Sequence, residues 1–274
     1  MIRIDDNSFL RIVDYMKQFY GLDLTKKRVL IECRLTKILQ NLKLNNFQDY
    51  VQALEKDQSG VLREQMVDVL TTHYTYFLRE NEHFQMIKDY LLPEFIQNKK
   101  AMTFQVWCAG CSTGEEAYCI AMTIEDYKKQ SGQQLEYIIY ASDISDNVLS
   151  VAQKGEYPIK QIPTIDLFWQ HQYCQKIDAS SFQIRDDIRR HIIFDKHNLM
   201  HPLKCERQFD LILCRNVMIY FHKDIRYQIV KSLEDHLHKG GYLMIGHAEM
   251  LSNTETTMER VYPSVYKKSG EMKK

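Results

Sequence analysis

Residues 104–121 combine a glycine turn with two adjacent carboxylates. An apolar run leads into a turn that Gly110 and Gly114 bracket, and Glu115 and Glu116 follow the second glycine. This pattern predicts a strand that ends in a tight turn at a helix N-terminus, where a ligand can approach bare backbone. A phosphate-binding loop would place a lysine after the second glycine. Carboxylates at that position favour a cationic ligand instead, an amine or a sulfonium such as S-adenosylmethionine.

The first part of the chain has the spacing of amphipathic helices. Apolar residues recur every three to four positions in four stripes, and Gly21 is a suitable end for the first helix. The sequence therefore predicts a small helical domain over 1–80. The stripes are Phe9, Ile12, Val13, Met16 and Phe19; Leu35, Ile38, Leu39 and Leu42; Phe47, Tyr50, Val51 and Leu54; and Leu62, Met66, Val69 and Leu70.

Beyond residue 100 or so, short apolar runs alternate with longer helical or loop stretches. Strands that alternate with helices predict an α/β fold with a mostly parallel, doubly wound sheet and helices on both faces. In such sheets the ligand lies outside the carboxyl ends of the strands. Gly110, Asp143 and Asn216 follow or close three of the runs, so a site is expected there. The candidate strands are 104–109, 137–142, 191–195, 209–214 and 241–246.

The composition excludes several classes of protein. Lys plus Arg and Asp plus Glu are both 36, so the chain lacks the basic excess of a general nucleic-acid binder. Its longest apolar runs are strand-sized, well below the ~20 residues that a membrane span needs. The first six residues lack the apolar core of a signal peptide. We expect a cytoplasmic protein without direct membrane insertion.

The seven cysteines are expected to be reduced thiols, since no secretion signal precedes them. Cys108 and Cys111 form a C-x-x-C pair. A zinc site would require a second such pair or a spaced histidine pair, and neither is evident, so no metal is expected. We interpret the two cysteines as small packing residues around the glycine turn, with a redox motif as the alternative.

Five segments in a fixed order resemble the chemotaxis receptor glutamate methyltransferases, the CheR family. They are the glycine turn, 71–80 (TTHYTYFLRE), 141–149 (ASDISDNVL), 209–221 (FDLILCRNVMIYF) and 240–249 (GGYLMIGHAE), and together they span nearly the whole chain. One glycine turn would be weak evidence, but five ordered segments make chance an inadequate explanation.

The resemblance implies a function and an architecture. The function is methyl transfer from S-adenosylmethionine to glutamate side chains on the cytoplasmic helices of methyl-accepting chemotaxis receptors. S-adenosylhomocysteine would be the product, and sensory adaptation the result. The architecture is a helical docking domain over 1–80, then a class I methyltransferase-like domain over 81–274. A small antiparallel β-subdomain is expected at about 168–196, where no long helical stripe occurs.

Two acids are candidates for holding the cofactor. Asp143 closes an apolar strand, and an acid there can accept hydrogen bonds from both ribose hydroxyls. Its alternative role is to cap the helix that starts near Ser145. By resemblance, Glu116 matches the acid that holds the amino group of the cofactor's methionine portion. Glu115 is then a helix cap or a supporting residue.

Two pairs of residues that follow strands are further cofactor candidates. By resemblance, Asn198, Leu199, Asn216 and Val217 line the adenine and methionine portions of the cofactor. A buried asparagine needs partners for its donors and acceptors, which favours ligand contact for Asn216. For Asn198 an ordinary turn is the competing interpretation.

The segment that joins the two halves supplies the remaining candidates. By resemblance, Arg79 is an active-site residue, since a guanidinium can orient a carboxylate, and both Arg79 and Thr75 contact the cofactor. An interdomain salt bridge is the alternative for Arg79. The family usually has asparagine at the position of His73, whose bulkier ring can still make one hydrogen bond. Tyr220 resembles the tyrosine near the transferred methyl group, with core packing as its alternative.

The sequence also bears on how a receptor would be recognised. Lys27, Arg34 and Lys37 fall on one face of the second predicted helix, and such a face suits acidic receptor helices, although it could equally be a solvated surface. Some family members tether to a receptor pentapeptide through a glycine-bearing loop. The corresponding stretch, 172–190, contains no glycine, which favours recognition without a tether.

Three alternative functions can be compared with the motifs. A methyltransferase acting on amino groups would have Pro-Pro after Asn216, where this chain has Val217 and Met218. A NAD dehydrogenase would have G-x-G-x-x-G, whereas Gly110 and Gly114 are spaced G-x-x-x-G. A binding module that senses S-adenosylmethionine or S-adenosylhomocysteine without turnover stays open because of His73.

Overall fold

In the computed structural model, which describes residues 2–98, 103–203 and 207–269, the chain divides into two units. The first contains the chain up to His73 together with Tyr220–Arg226, and the second contains Tyr74–Ile219 and the chain from Tyr227 onward. None of the described helices combines the length and the apolar character that a membrane crossing requires.

The first unit is built from the four helices that the apolar stripes predict. Asp5 caps the first helix by accepting a hydrogen bond from the Ser8 amide, and Gly21 ends it at a φ of 69°, as expected. Most stripe residues form the buried interior, whereas Leu62 and Val69 are half-buried and Phe19 and Leu42, at the ends of their helices, are exposed. The helices are α1 (Asp6–Tyr20), α2 (Arg28–Asn41), α3 (Phe47–Lys56) and α4 (Val61–Leu70).

One residue of the predicted basic docking face has a structural role instead. Arg34 is half-buried, and its Nη1 donates to the carbonyl oxygens of Val69 at 2.9 Å and Thr71 at 2.7 Å. The last carbonyls of a helix have no partner within the helix, so this guanidinium caps the end of α4. Lys27 and Lys37 are exposed and still face solvent.

The first unit also includes the short segment Tyr220–Arg226. The Asp23 amide donates to the Tyr220 carbonyl at 2.9 Å, and Leu22 forms an isolated antiparallel bridge with Phe221. Tyr220 is thereby fixed through its backbone to the segment that follows α1.

The second unit contains a seven-stranded sheet with the strand order β6-β2-β1-β7-β8-β10-β9. The first five strands in that order are mutually parallel, and β10 is antiparallel to both of its neighbours. The strands are β1 (Phe104–Ala109), β2 (Tyr137–Asp143), β6 (Ile192–Lys196), β7 (Phe209–Cys214), β8 (Leu237–Ile245), β9 (Glu259–Tyr262) and β10 (Val265–Lys267).

The observed strands confirm the predicted fold class. The runs at 104–109 and 209–214 match β1 and β7 in full, the run for β2 is one residue shorter than the strand, and the run for β6 is shifted by one residue. β8 starts earlier than predicted, at Leu237. Every residue of β7 is buried, as expected for a central parallel strand covered on both faces.

Helices of the second unit surround this sheet. The longest, α7, follows the glycine turn, and its first two turns are almost completely buried. The helices are α5 (Glu82–Met86), a π-helical segment (Ile87–Leu91), α6 (Leu92–Asn98), α7 (Glu115–Ser131), α8 (Asp146–Lys154), a 3₁₀ segment (Ile159–Thr164), α9 (Leu167–Tyr173), α10 (Asp186–Arg189), a 3₁₀ turn (Met218–Tyr220) and α11 (Lys223–Asp235).

A separate three-stranded antiparallel sheet, in the order β3-β5-β4, forms the small β-subdomain. Its strands are β3 (Glu156–Pro158), β4 (Cys174–Lys176) and β5 (Ser181–Ile184). The small sheet begins at Glu156, upstream of the stretch 168–196 that the sequence predicts. The end of that stretch forms β6, which belongs to the large sheet instead. Asp178 stabilises the β4–β5 turn by accepting from the amides of Ser180 and Ser181, so this hairpin forms without glycine.

Replacing Arg34 tests its role as a cap. Arg34→Met should lower the free energy of unfolding by about 1–3 kcal/mol, because it leaves the carbonyls at the end of α4 without their donor. Urea unfolding of the full chain, followed by circular dichroism, measures this change. Lys37→Met removes an exposed cation from the same helix and serves as the control. Equal midpoints for the two variants would contradict the capping role.

Candidate active site

The loops after β1 and β7 meet at the carboxyl edge of the sheet. Gly110 follows β1 with a φ of 83°, and a Cβ atom added there would lie 2.6 Å from Cγ2 of Val217. Only glycine allows this approach, since a side chain would collide with Val217 and strain the backbone. Two predicted site residues are therefore in direct proximity.

Asp143, at the end of β2, fixes the shape of the glycine turn. Its Oδ2 accepts from the Ser112 amide at 2.8 Å, and its Oδ1 accepts from the Ser145 amide at 3.1 Å. The N-cap of α8 is Ser145, whose side chain accepts a hydrogen bond from the Val148 amide. Asp143 therefore does not cap this helix, which was the alternative to ribose binding. Its role in ribose binding stays a prediction.

A buried arginine organises the centre of this edge. Arg215 follows β7 and is 5% exposed. Its Nη1 lies 2.8 Å from Oε2 of Glu116, and its Nη2 lies 3.1 Å from Oε2 of Glu80. Nη2 also donates to the carbonyl oxygen of Arg79. One guanidinium therefore joins α7, the loop after β7 and the segment before α5.

The charges in this cluster depend on one another. Burial by itself lowers the pKa of Arg215, but the adjacent carboxylates of Glu116 and Glu80 outweigh it and raise that pKa. Burial likewise acts to raise the pKa of Glu80, and Arg215 and Asn216 outweigh it and lower that pKa. The ionised cluster holds two carboxylates for one guanidinium and carries an excess negative charge.

The two adjacent acids of the glycine turn have different surroundings. Glu116 joins the Arg215 cluster, and its Oε1 also accepts from the Cys108 thiol at 3.0 Å. Glu115 is buried and accepts from the Thr113 hydroxyl at 2.6 Å, and burial raises its pKa. Glu116 stays the predicted ligand-binding acid.

Asn216 occupies a tightly held loop position with a φ of 59°. Its Nδ2 donates to Oε1 of Glu80 at 3.1 Å, and its amide donates to Oε2 of Glu249 at 2.9 Å. The side-chain donor thus has a protein partner, so the need for a partner does not by itself indicate a ligand. The assignment of Asn216 to the cofactor rests on its position alone and stays a prediction.

Glu249 is a buried carboxylate that accepts backbone hydrogen bonds from two loops. Besides Asn216, the amides of Ile219 at 3.2 Å and Gly246 at 2.6 Å donate to it. Burial raises the pKa of Glu249, although these amides act in the opposite direction. This single side chain fixes the loop after β7 against the loop after β8.

Arg79 is held by aromatic neighbours. Its Nη1 donates to the Tyr74 carbonyl at 2.9 Å, and its guanidinium carbon lies 5.9 Å from the ring centroids of both Tyr74 and Tyr76. The carboxylate of Glu80, the next residue, pairs with Arg215. Thr75 is half-buried between the two tyrosines in sequence.

The remaining predicted residues lie outside this cluster. Asn198 forms a turn in which its Oδ1 accepts from the Met200 amide at 3.0 Å, as its alternative interpretation held. Leu199 is half-buried in the same turn. His73 and Tyr220 belong to the first unit, where Nε2 of His73 lies 2.7 Å from Oγ1 of Thr71.

The cysteine pair is buried beside the glycine turn. Cys108 and Cys111 are free thiols, and burial raises the pKa of each well above the ordinary value. A raised pKa suppresses the reactive thiolate, so these residues have the properties expected of packing residues.

Sequence reasoning missed the residues that connect the site. Arg215, Glu80 and Glu249 all lie inside the family-like segments, but none of them was singled out for a role. A signal was available for Arg215, because a charged residue directly after six buried strand residues must find carboxylates nearby. No comparable signal marks Glu80 as the partner of Arg215, or Glu249 as the acceptor of the loop amides.

Comparisons with known proteins agree with this architecture. Residues 7–71 match the all-alpha domain of CheR methyltransferases, and residues 73–267 match their S-adenosylmethionine-binding domain. A chemotaxis protein methyltransferase of Borreliella burgdorferi is 34% identical over 273 residues, which cover 98% of this chain and 96% of that protein. A probable chemotaxis protein methyltransferase of Rhizobium etli is 32% identical, covering 82% of this chain and 85% of the relative.

The sheet order and the glycine turn at its carboxyl edge define a class I methyltransferase-like fold. The chain belongs to the CheR methyltransferase family, whose two domains together match most of its length. Its general function is therefore S-adenosylmethionine-dependent methyl transfer in chemotaxis.

Removal of Arg215 should be costly. Arg215→Met leaves the half-buried carboxylates of Glu80 and Glu116 without their shared cation, which should lower the free energy of unfolding by about 3–5 kcal/mol. Urea unfolding measures this loss. Arg260→Met, at an exposed arginine of β9, is the matched control and should change it by less than about 0.5 kcal/mol. Similar losses in both variants would show that the cluster is not a source of stability.

Glu80 should make stability depend on pH in acid. Its folded-state pKa is lowered from 4.5, so its contribution is present above that value and is lost as the pH falls through the lower, folded-state pKa. The difference in unfolding free energy between the unmodified protein and Glu80→Gln should be constant above about pH 5.5 and shrink in more acidic solution. Glu82→Gln, at an exposed neighbouring acid, is the control. A difference that does not change with pH would contradict the pairing.

Proposed function

We propose that this protein methylates glutamate side chains on the cytoplasmic domains of methyl-accepting chemotaxis receptors. The products would be glutamate methyl esters and S-adenosylhomocysteine, and the reaction would serve sensory adaptation in the cytoplasm. The observation that carries the proposal is the Arg215 cluster at the carboxyl edge of a class I methyltransferase-like sheet. It combines an excess negative charge with the glycine turn after β1, which packs directly against the loop after β7.

The residues at this edge fit S-adenosylmethionine. Glu116 is 15% exposed in its side chain and belongs to the negatively charged cluster, so it would hold the cofactor's ammonium group. The Gly110 turn would lie against the methionine portion, and Asp143 would hold the ribose. Asn198, Leu199, Asn216 and Val217 would line the adenine and methionine portions, and His73 and Thr75 would complete the contacts. When bound, the cofactor supplies a methyl group activated on a sulfonium.

The protein's task in this reaction is mainly positioning. A glutamate carboxylate has an ordinary pKa of about 4.3, so it is already ionised at pH 7 and needs no general base. It must lose water and point at the methyl group, and such alignment can contribute roughly 7–11 kcal/mol to catalysis. No metal is required by this scheme.

Arg79 and Tyr220 are the proposed orienting residues. The hydrogen bond to the Tyr74 carbonyl uses one of the five N–H groups of Arg79. The guanidinium therefore has further N–H groups that can bind a substrate carboxylate. A carboxylate that is paired too tightly loses nucleophilicity, so Arg79 should orient the carboxylate rather than neutralise it. The Tyr220 hydroxyl would add a second hydrogen bond.

Receptor recognition would involve the helical first unit. Lys27 and Lys37 are exposed on or beside α2 and suit acidic receptor helices, whereas Arg34 is committed to the end of α4. The β4–β5 hairpin closes on Asp178 without glycine, which supports recognition without a pentapeptide tether.

The test uses methyl-labelled S-adenosylmethionine and receptor-bearing membranes from the source organism. Carboxyl methyl esters release methanol in alkali and methylated amines do not, so volatile label after base treatment identifies glutamate methylation. Arg79→Ala should abolish most of this label, while cofactor binding measured by calorimetry falls much less. Arg260→Ala is the control and should keep full activity.

Two outcomes would overturn the proposal. Base-stable label would indicate methylation of an amine or amide. Cofactor binding without any transfer to receptors would favour the alternative function, a non-catalytic sensor of S-adenosylmethionine or S-adenosylhomocysteine.

A further inference from the structure

Three side chains from two distant segments converge beside the Arg215 cluster. One ligand atom from each of Glu80, His83 and His247 lies within 4.8 Å of the others. The imidazole rings of His83 and His247 are 4.8 Å apart at an angle of 73°. His83 is 2% exposed, whereas His247 is exposed at the surface, so the group has one buried and one accessible side.

The hydrogen bonds of His83 define which ring nitrogen carries its proton. Nε2 lies 2.9 Å from the Ser264 hydroxyl, and that hydroxyl donates its own proton to the Pro263 carbonyl at 2.6 Å. The hydroxyl oxygen must therefore accept from Nε2, which leaves Nδ1 as a bare lone pair. Burial also lowers the pKa of His83.

This lone pair faces a carboxylate. Nδ1 of His83 lies 3.7 Å from Oε2 of Glu80, and among the described residues it has no hydrogen-bond partner. A buried acceptor without a donor is destabilising, and two acceptors that face each other add repulsion. A cation between the two atoms would remove both penalties.

We propose that Glu80, His83 and His247 form a binding site for a zinc ion. Two imidazoles and one carboxylate are a common zinc ligand set, whereas magnesium and calcium prefer oxygen ligands alone. The Ser264 hydroxyl would serve as the outer partner that orients a metal-bound histidine. The exposed side of His247 leaves a fourth position for water.

Only a small adjustment is needed to reach zinc geometry. Zinc–ligand bonds of about 2.0–2.1 Å place the ligand atoms of a tetrahedral site about 3.4 Å apart. The pair formed by His83 and Glu80 is already at 3.7 Å. The side chain of His247 is exposed, and its rotation can close the remaining gap.

Zinc at this position would compete with Arg215 for Glu80. The Oε2 atom that faces His83 also accepts from Nε and Nη2 of Arg215, at 3.3 Å and 3.1 Å. A bound zinc ion would weaken that pair and disturb the loop of Asn216, which Glu80 also holds. The site would therefore be inhibitory and would supply no chemistry to methyl transfer.

The primary test is metal binding, which is independent of the proposed function. Chelator-treated protein is titrated with zinc against a chromophoric competitor, and cobalt is used as a spectroscopic substitute. We expect one tight site per chain and intense visible cobalt bands, as four-coordinate nitrogen and oxygen ligation gives. His247→Ala should weaken zinc binding at least about tenfold. His171→Ala, at another exposed histidine of the second unit, should leave it unchanged.

The possible results separate clearly. Equal zinc affinity in the unmodified protein and in His247→Ala would overturn the proposal and assign any binding to other groups, such as the exposed thiol of Cys33. Weak cobalt bands typical of six-coordination would also overturn it. Loss of tight binding in His247→Ala alone, with folding unchanged by circular dichroism, would establish the site whether or not receptor methylation is observed.

Discussion

The guanidinium of Arg215 lies in the buried part of the second unit and pairs with carboxylates from two other segments. Moving such a charge out of water costs several kcal/mol, and only well-placed opposite charges offset that cost. Glu116 at the start of α7 and Glu80 before α5 supply them, and the Arg79 carbonyl accepts a further bond. The glycine turn, the loop after β7 and the segment of Arg79 are all placed relative to this one cation.

The same cluster links structure to the proposed chemistry. Its excess carboxylate gives the site a negative character that suits an ammonium or sulfonium group, and Glu249 fixes the adjacent loop through backbone amides alone. The protein thus separates two tasks. Buried Arg215 and Glu249 hold the loops in place, and Glu116 and Arg79 are the partly exposed groups that the proposal assigns to ligands.

Two features that the resemblance sets apart do not belong to the Arg215 cluster. His73, where the resemblance implies asparagine, has its ring against Thr71 in the first unit. The hairpin of the β-subdomain turns on Asp178 and contains no glycine. The ion pairs of Arg215 involve neither feature.

The sequence by itself determined the elements and their order, because helices and parallel strands depend on local apolar spacing. It therefore predicted the four helices of the first unit, the main strands within a few residues, and the polar positions at the strand ends. Tertiary structure decided which charges meet. Arg215, Glu80 and Glu116 are far apart in the chain, as are His83 and His247, and no local pattern records such pairings. Arg34 shows the limit most clearly: its spacing indicates a solvated basic face, yet folding turns it onto the carbonyls of α4.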